Sequence, residues 1–86
     1  MKWQNPHAET VEIFINTQPH LVPKGDISHA ELVRLAYGLE GEEVRGYSVT
    51  YERGPNPDKP EDVLPYGGSI KVKKDMRFDV FPTGRS

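Results

Sequence analysis

The chain has 86 residues, 35% of them hydrophobic, with a formal net charge of −2 and no cysteine. A domain of this size buries about 60–65% of the surface its unfolded chain exposes, so one modest core is expected, with little room for an internal pocket. Disulfides, a thiolate nucleophile and a cysteine-based zinc site are excluded, and the charge argues against general nucleic-acid binding, where a basic face should dominate.

The first residues, 1–8, are polar and interrupted by Pro6, and are expected to form a flexible arm before a domain over residues 9–81. Trp3 in this arm docks either on the domain or on a partner. The arm lacks the apolar run of a signal peptide and no stretch reaches membrane-spanning length, so a cytoplasmic location is expected. Residues 10–16 alternate, with Val11, Ile13 and Ile15 facing inward and Glu12, Phe14 and Asn16 outward, which predicts a strand. Asn16-Thr17-Gln18 reverses the chain, and residues 19–22 return as a strand. Pro19 places that strand at a sheet edge, which is open to pairing with another copy. Residues 23–26 form a turn.

Residues 27–38 are the one well-terminated helix. Ser28 and Glu31 read as a capping box, with Ile27 stapled to Leu32. Leu32, Leu35 and Ala36 form an apolar stripe, and Gly38 supplies the left-handed stop. A helix of about ten residues does not persist alone in water, so a sheet must cover that stripe. An acidic connector follows, ending near Gly46. Residues 47–51 form a strand with Tyr47, Val49 and Tyr51 on one face. Residues 54–60, with three prolines, are a loop. Residues 61–64 are expected to make a single helical turn with Leu64 closing the core. Gly67-Gly68 is a permissive turn into a short extended piece at 70–72. Lys73-Lys74-Asp75 reverses the chain. Residues 76–81 are the last strand, with Met76, Phe78 and Val80 inward, and residues 82–86 remain as a tail that leaves the fold at Pro82. The fold expected is α+β, a β-grasp: a mixed sheet of four to five strands across one helix, the last strand lying parallel to the first.

Few residues invite chemistry. His7, His20 and His29 show no metal-ligand spacing and are expected at the surface; a cation at His29 would oppose the helix dipole. Ser28 is a cap rather than a nucleophile, since no base is placed to activate it. Gly38-Leu39-Glu40-Gly41 matches a phosphate-clamping spacing, but Glu40, Glu42 and Glu43 would repel phosphate. The carboxylate pairs Glu42/Glu43 and Glu61/Asp62 fall in solvated loops. No catalytic residue, metal site or cofactor is expected. Phe14 and Phe81 share the outward parity of adjacent strands, which would set two phenylalanines together beside Arg77, as in an interface hot spot.

The order of elements resembles ubiquitin-like β-grasp domains. The helix at 27–38, the strand at 47–51 and the ending Met76-Arg77-Phe78-Asp79-Val80-Phe81-Pro82-Thr83-Gly84-Arg85-Ser86 look more narrowly like the bacterial multiubiquitin domain, as one copy over residues 9–86. The resemblance implies a non-enzymatic protein modifier whose carboxyl terminus is activated and conjugated to targets, in some systems in antiphage defence. The partners it implies are an activating enzyme, a conjugating enzyme and a processing peptidase of ubiquitin-pathway type, with no nucleic acid and no membrane. Phe14, Arg77, Phe81, Pro82 and Thr83 are then the partner-binding residues. A terminal Gly-Gly is absent. Either Arg85 and Ser86 are removed to expose Gly84 as the conjugation terminus, or Ser86 is the native end and the domain is recognised intact. Trimming leaves Pro82-Thr83-Gly84, about 10 Å of reach. The rival reading is a non-covalent β-grasp module that assembles a complex through its exposed sheet face.

Overall fold

A computed structural model describes residues 9–83. The arm with Trp3, and Gly84, Arg85 and Ser86, lie outside the described residues. β1 (Thr10–Ile15) and β2 (Gln18–Pro23) form a hairpin. Its two-residue turn puts Asn16 at φ 51° and Thr17 at φ 69°, both left-handed, as the twist of a tight hairpin requires. β3 (Asp26–Ser28) leads into α1 (His29–Tyr37), then a 3-10 helix over Gly41–Gly46 and β4 (Tyr47–Glu52). β5 (Asp62–Leu64), β6 (Ser69–Lys71) and β7 (Arg77–Pro82) complete the chain.

Five strands form one sheet in the order β2-β1-β7-β4-β5, and β3 pairs with β6 in a second, two-stranded ribbon. β1 and β7 are parallel; the other pairs are antiparallel. This is the expected mixed sheet of a β-grasp, with β7 at its centre. Ile13, Ile15, Phe78, Val80, Val49 and Leu64 line the inner face and pack with Ile27, Leu32, Val33, Val44, Val72 and Met76. Phe14's backbone N–H bonds the carbonyl of Met76, just before β7, so Pro19, opposite it, turns its nitrogen away from β1 to the open edge. Pro23, opposite Thr10, shares that phase. The edge expected to invite another copy thus lacks two donors and is blunted.

α1 begins as expected, with Ser28 Oγ accepting from the Glu31 N–H at 3.1 Å, and ends with Gly38 at φ 76° returning its N–H to Arg34. The capping box is only half made, because the Glu31 carboxylate engages the Arg34 guanidinium instead. The buried stripe is also wider than Leu32, Leu35 and Ala36. His29 and Val33 are buried beside Leu32, while Leu35 and Ala36 are both partly buried against the core.

Two further expectations are corrected. Residues 61–64 make no helical turn: β5 pairs with β4, setting Leu64 level with Val49, so extended backbone delivers the side chain to the core and bonds its own amides. The strand also does not stop before Pro82. β7 includes Pro82, opposite Tyr47. The carbonyls of Met76 and Phe78 face β1, so by alternation Pro82 turns its nitrogen to that side, where β1 has already ended in the hairpin. Its missing donor is lost where nothing would have accepted.

Candidate functional site

Two regions gather the residues singled out from the sequence: the root of the C-terminal segment and the outer face of the sheet. At the root, β7 is fastened at two levels. Asn16 completes the β1 ladder with its side chain. Its Nδ2 donates to the Val80 carbonyl at 3.0 Å, and its Oδ1 accepts from the Val80 N–H at 2.8 Å. The left-handed turn aims that amide at β7, one residue beyond the last register pair of β1. Tyr37 at the end of α1 donates its hydroxyl to the same Val80 carbonyl at 3.0 Å and tilts its ring against Tyr47, centroids 4.8 Å apart. Three residues on, the Thr83 N–H and its Oγ1 both donate to the carbonyl of Gly46, at 2.8 and 3.1 Å. Phe81, Pro82 and Thr83 are exposed all the same.

On the outer face, Phe14 lies opposite Pro19 on one side and Arg77 on the other, and Arg77 lies opposite Glu52. A shallow groove there is lined by Phe14, Thr17, Glu52, Arg77 and Asp79. Phe81 shares the face but not the place. It lies opposite Ser48, four residues along β7 from Arg77 and so about 13 Å away. The expected pair of phenylalanines is therefore not formed. Parity along a strand fixes the face, while register fixes the neighbour, and register is not written in the alternation. Leu21 of β2, 71% exposed, and Val63 of β5, 57% exposed, add to this face.

His29 is the feature sequence reasoning missed. It is not at the surface but 1% exposed. Its Nε2–H donates to the Tyr47 carbonyl at 2.8 Å, the ring meets Tyr66 edge-on at 5.6 Å, and the Arg45 guanidinium lies over the Tyr66 ring. Nδ1 is buried without a partner. The residue ties the first turn of α1 to the start of β4. Its place one turn before Leu32 and Val33 was the available signal.

The remaining candidates have structural explanations. Gly68 accepts the His29 N–H and Gly67 sits at φ 86°, so the pair is a turn. Glu42 is engaged by Arg45. Asp62 accepts from the Val63 N–H and pairs with Lys59, and these, the backbone donor foremost, hold its carboxyl below the ordinary range. Glu31, by hydrogen bond and charge, holds the Arg34 guanidinium above its usual value. Among the described residues no three His, Cys, Asp or Glu side chains converge on a possible metal position, and no helix is long and apolar enough to cross a membrane.

Comparison with curated proteins and with solved structures found no match. The family model described as Multiubiquitin matches residues 11–84, from the start of the first hairpin to one residue past Thr83. The chain therefore belongs to the multiubiquitin family.

Proposed function

We propose that this domain is a ubiquitin-like protein modifier, not itself catalytic, whose C-terminal segment is the functional group. What supports the reading is the family membership, joined to the placing of β7. The central strand of the sheet carries the chain out of the fold at an exposed Pro82-Thr83 step. In this reading a peptidase removes Arg85 and Ser86, a partner activating enzyme acts on the carboxylate of Gly84, and a conjugating enzyme passes it to target proteins through an isopeptide bond. Glycine suits that terminus because a slim, Cβ-free residue enters an enclosed site most easily. The setting is bacterial and cytoplasmic, with antiphage defence as the process served. Phe14, Arg77, Phe81, Pro82 and Thr83 are the residues that meet these partners.

The exposed apolar side chains of the outer face, Leu21, Val63 and Phe81 among them, favour a second reading: a non-covalent module that joins a complex through this face. Mass spectrometry of the protein from its native host, with neighbouring genes intact, separates the two. The modifier reading expects loss of Arg85-Ser86 and higher-mass adducts that vanish in Gly84→Asp. Intact mass with no adducts, and partner capture unaffected by Gly84→Asp, would overturn it in favour of the module.

A further inference from the structure

We propose that the Thr83–Gly46 contact is a latch, which holds the end of β7 in the sheet and withholds the C-terminal segment until it opens. Its purpose rests on the modifier reading above; its existence does not. If the chain were free from Pro82, a terminus at Gly84 would reach about 10 Å from the fold. With Thr83 held on Gly46, only one residue lies beyond the last bonded one, about 3.5 Å of chain. A carboxylate with so little reach cannot enter an enclosed site on another protein, so Thr83 and Pro82 must lift off together first.

The geometry makes that opening local. Both latch bonds converge on one carbonyl, that of Gly46, and both belong to an exposed residue. Pro82, between the latch and the body of the strand, has no N–H to resist with. Resistance begins at Phe81 and Val80. Phe81 stands opposite Ser48 in the ladder. Val80 is 2% exposed and is held by both polar atoms of the Asn16 amide and by the Tyr37 hydroxyl. Peeling thus stops at a boundary the fold defines: two residues come free and the core stays shut. Gly46 ends the 3-10 helix, so the latch ties the end of β7 to the element that joins α1 to β4.

The test compares the native chain with Thr83→Val, which keeps the N–H and the branched shape but loses the hydroxyl donor. Timed carboxypeptidase Y digestion of the full chain is followed by mass spectrometry, each rate normalised to that on a free decapeptide of the same C-terminal sequence. Residues 85 and 86 should be released equally from both proteins, and residues 84 and 83, whose release needs residue 83 lifted off Gly46, about 3- to 10-fold faster from Thr83→Val, as loss of one of two hydrogen bonds implies. Amide exchange by NMR should show the N–H of residue 83 protected in the native chain, less so in Thr83→Val, with Val80 unchanged in both. Equal normalised release, or exchange of the native Thr83 amide at the free-peptide rate, would overturn the latch. So would loss of Val80 protection in step with residue 83, since the strand would then open as a whole. Missing adducts in the host would sink the modifier reading and leave these rates as they are.

Discussion

Asn16 offers the sharpest test of how the centre of the sheet is held. In Asn16→Ala the Val80 N–H and carbonyl lose the amide that pairs with both, at 2.8 and 3.0 Å. Each net hydrogen bond is worth about 1 kcal/mol, and a buried donor left without an acceptor costs about 1–3 kcal/mol. The Val80 carbonyl keeps the Tyr37 hydroxyl, so the penalty falls mainly on the N–H. A non-glycine residue at φ 51° adds about 1 kcal/mol once the asparagine's local tolerance is gone. The sum is about 3 kcal/mol, a large share of the roughly 5–10 kcal/mol a domain this small commands. Asn16→Gly removes the same bonds but suits the left-handed turn, so it should cost about 1 kcal/mol less. Asn16→Asp keeps an acceptor for the Val80 N–H and turns a carboxylate oxygen on the Val80 carbonyl, and should fall between the two. Urea unfolding followed by circular dichroism gives all three, with the slope expected unchanged. A loss below about 1 kcal/mol in Asn16→Ala, or glycine no better than alanine, would refute the argument.

Two other substitutions probe the periphery. A Cβ on Gly54 would stand 2.6 Å from the Tyr51 ring and 3.1 Å from the Pro60 carbonyl, which also accepts the Gly54 N–H. Gly54→Ala should therefore destabilise by about 1–3 kcal/mol in the same unfolding assay, and a neutral result would mean that the 54–60 loop gives way. Asp62 titrates below its unfolded value, so its contribution is present above about pH 4 and is lost as pH falls through the lower, folded value. The stability gap between native protein and Asp62→Asn should then narrow on acidification from pH 7 and shrink in high salt, because the group is exposed; a gap that widens in acid would contradict the assignment.

What was legible in the sequence was whatever a local pattern encodes. Ser28 and Gly38 mark both ends of α1 because capping chemistry is local, and the alternations at Val11, Ile13 and Ile15 and at Met76, Phe78 and Val80 set the faces of the two central strands. Long-range register was not legible. Phe14 and Phe81 were placed on the correct face, yet only the pairing of Phe14 with Arg77 shows them to be apart. His29 was hidden for another reason: polarity of residue type suggested solvent, whereas a carbonyl from a strand eighteen residues away accepts its proton. Pro82 shows a local rule overridden by topology, because the cost of proline in a strand depends on whether a neighbour stands on its nitrogen's side. At the candidate site the sequence identified the segment but not the bond that holds it, since Gly46 carries no side chain to announce an acceptor.

These observations bear on why the exit of the chain is so sharply placed. β7 is flanked on both sides, by β1 and by β4, so its residues cannot slip in register without turning Phe78 and Val80 out of the core. β2, the edge strand beyond β1, turns two proline nitrogens outward and so offers little for a foreign strand to pair with. β1 stops opposite Phe78, before the end of β7 at Pro82, and Asn16 bridges to Val80 in that gap with a side chain rather than with more strand. A longer β1 would have paired Pro82 on both sides and run against its missing donor. The short hairpin, the amide at its tip and the proline at position 82 are thus one arrangement: each permits the others, and together they set a fixed boundary at Val80 between a strand that holds the domain shut and an end that is free to open.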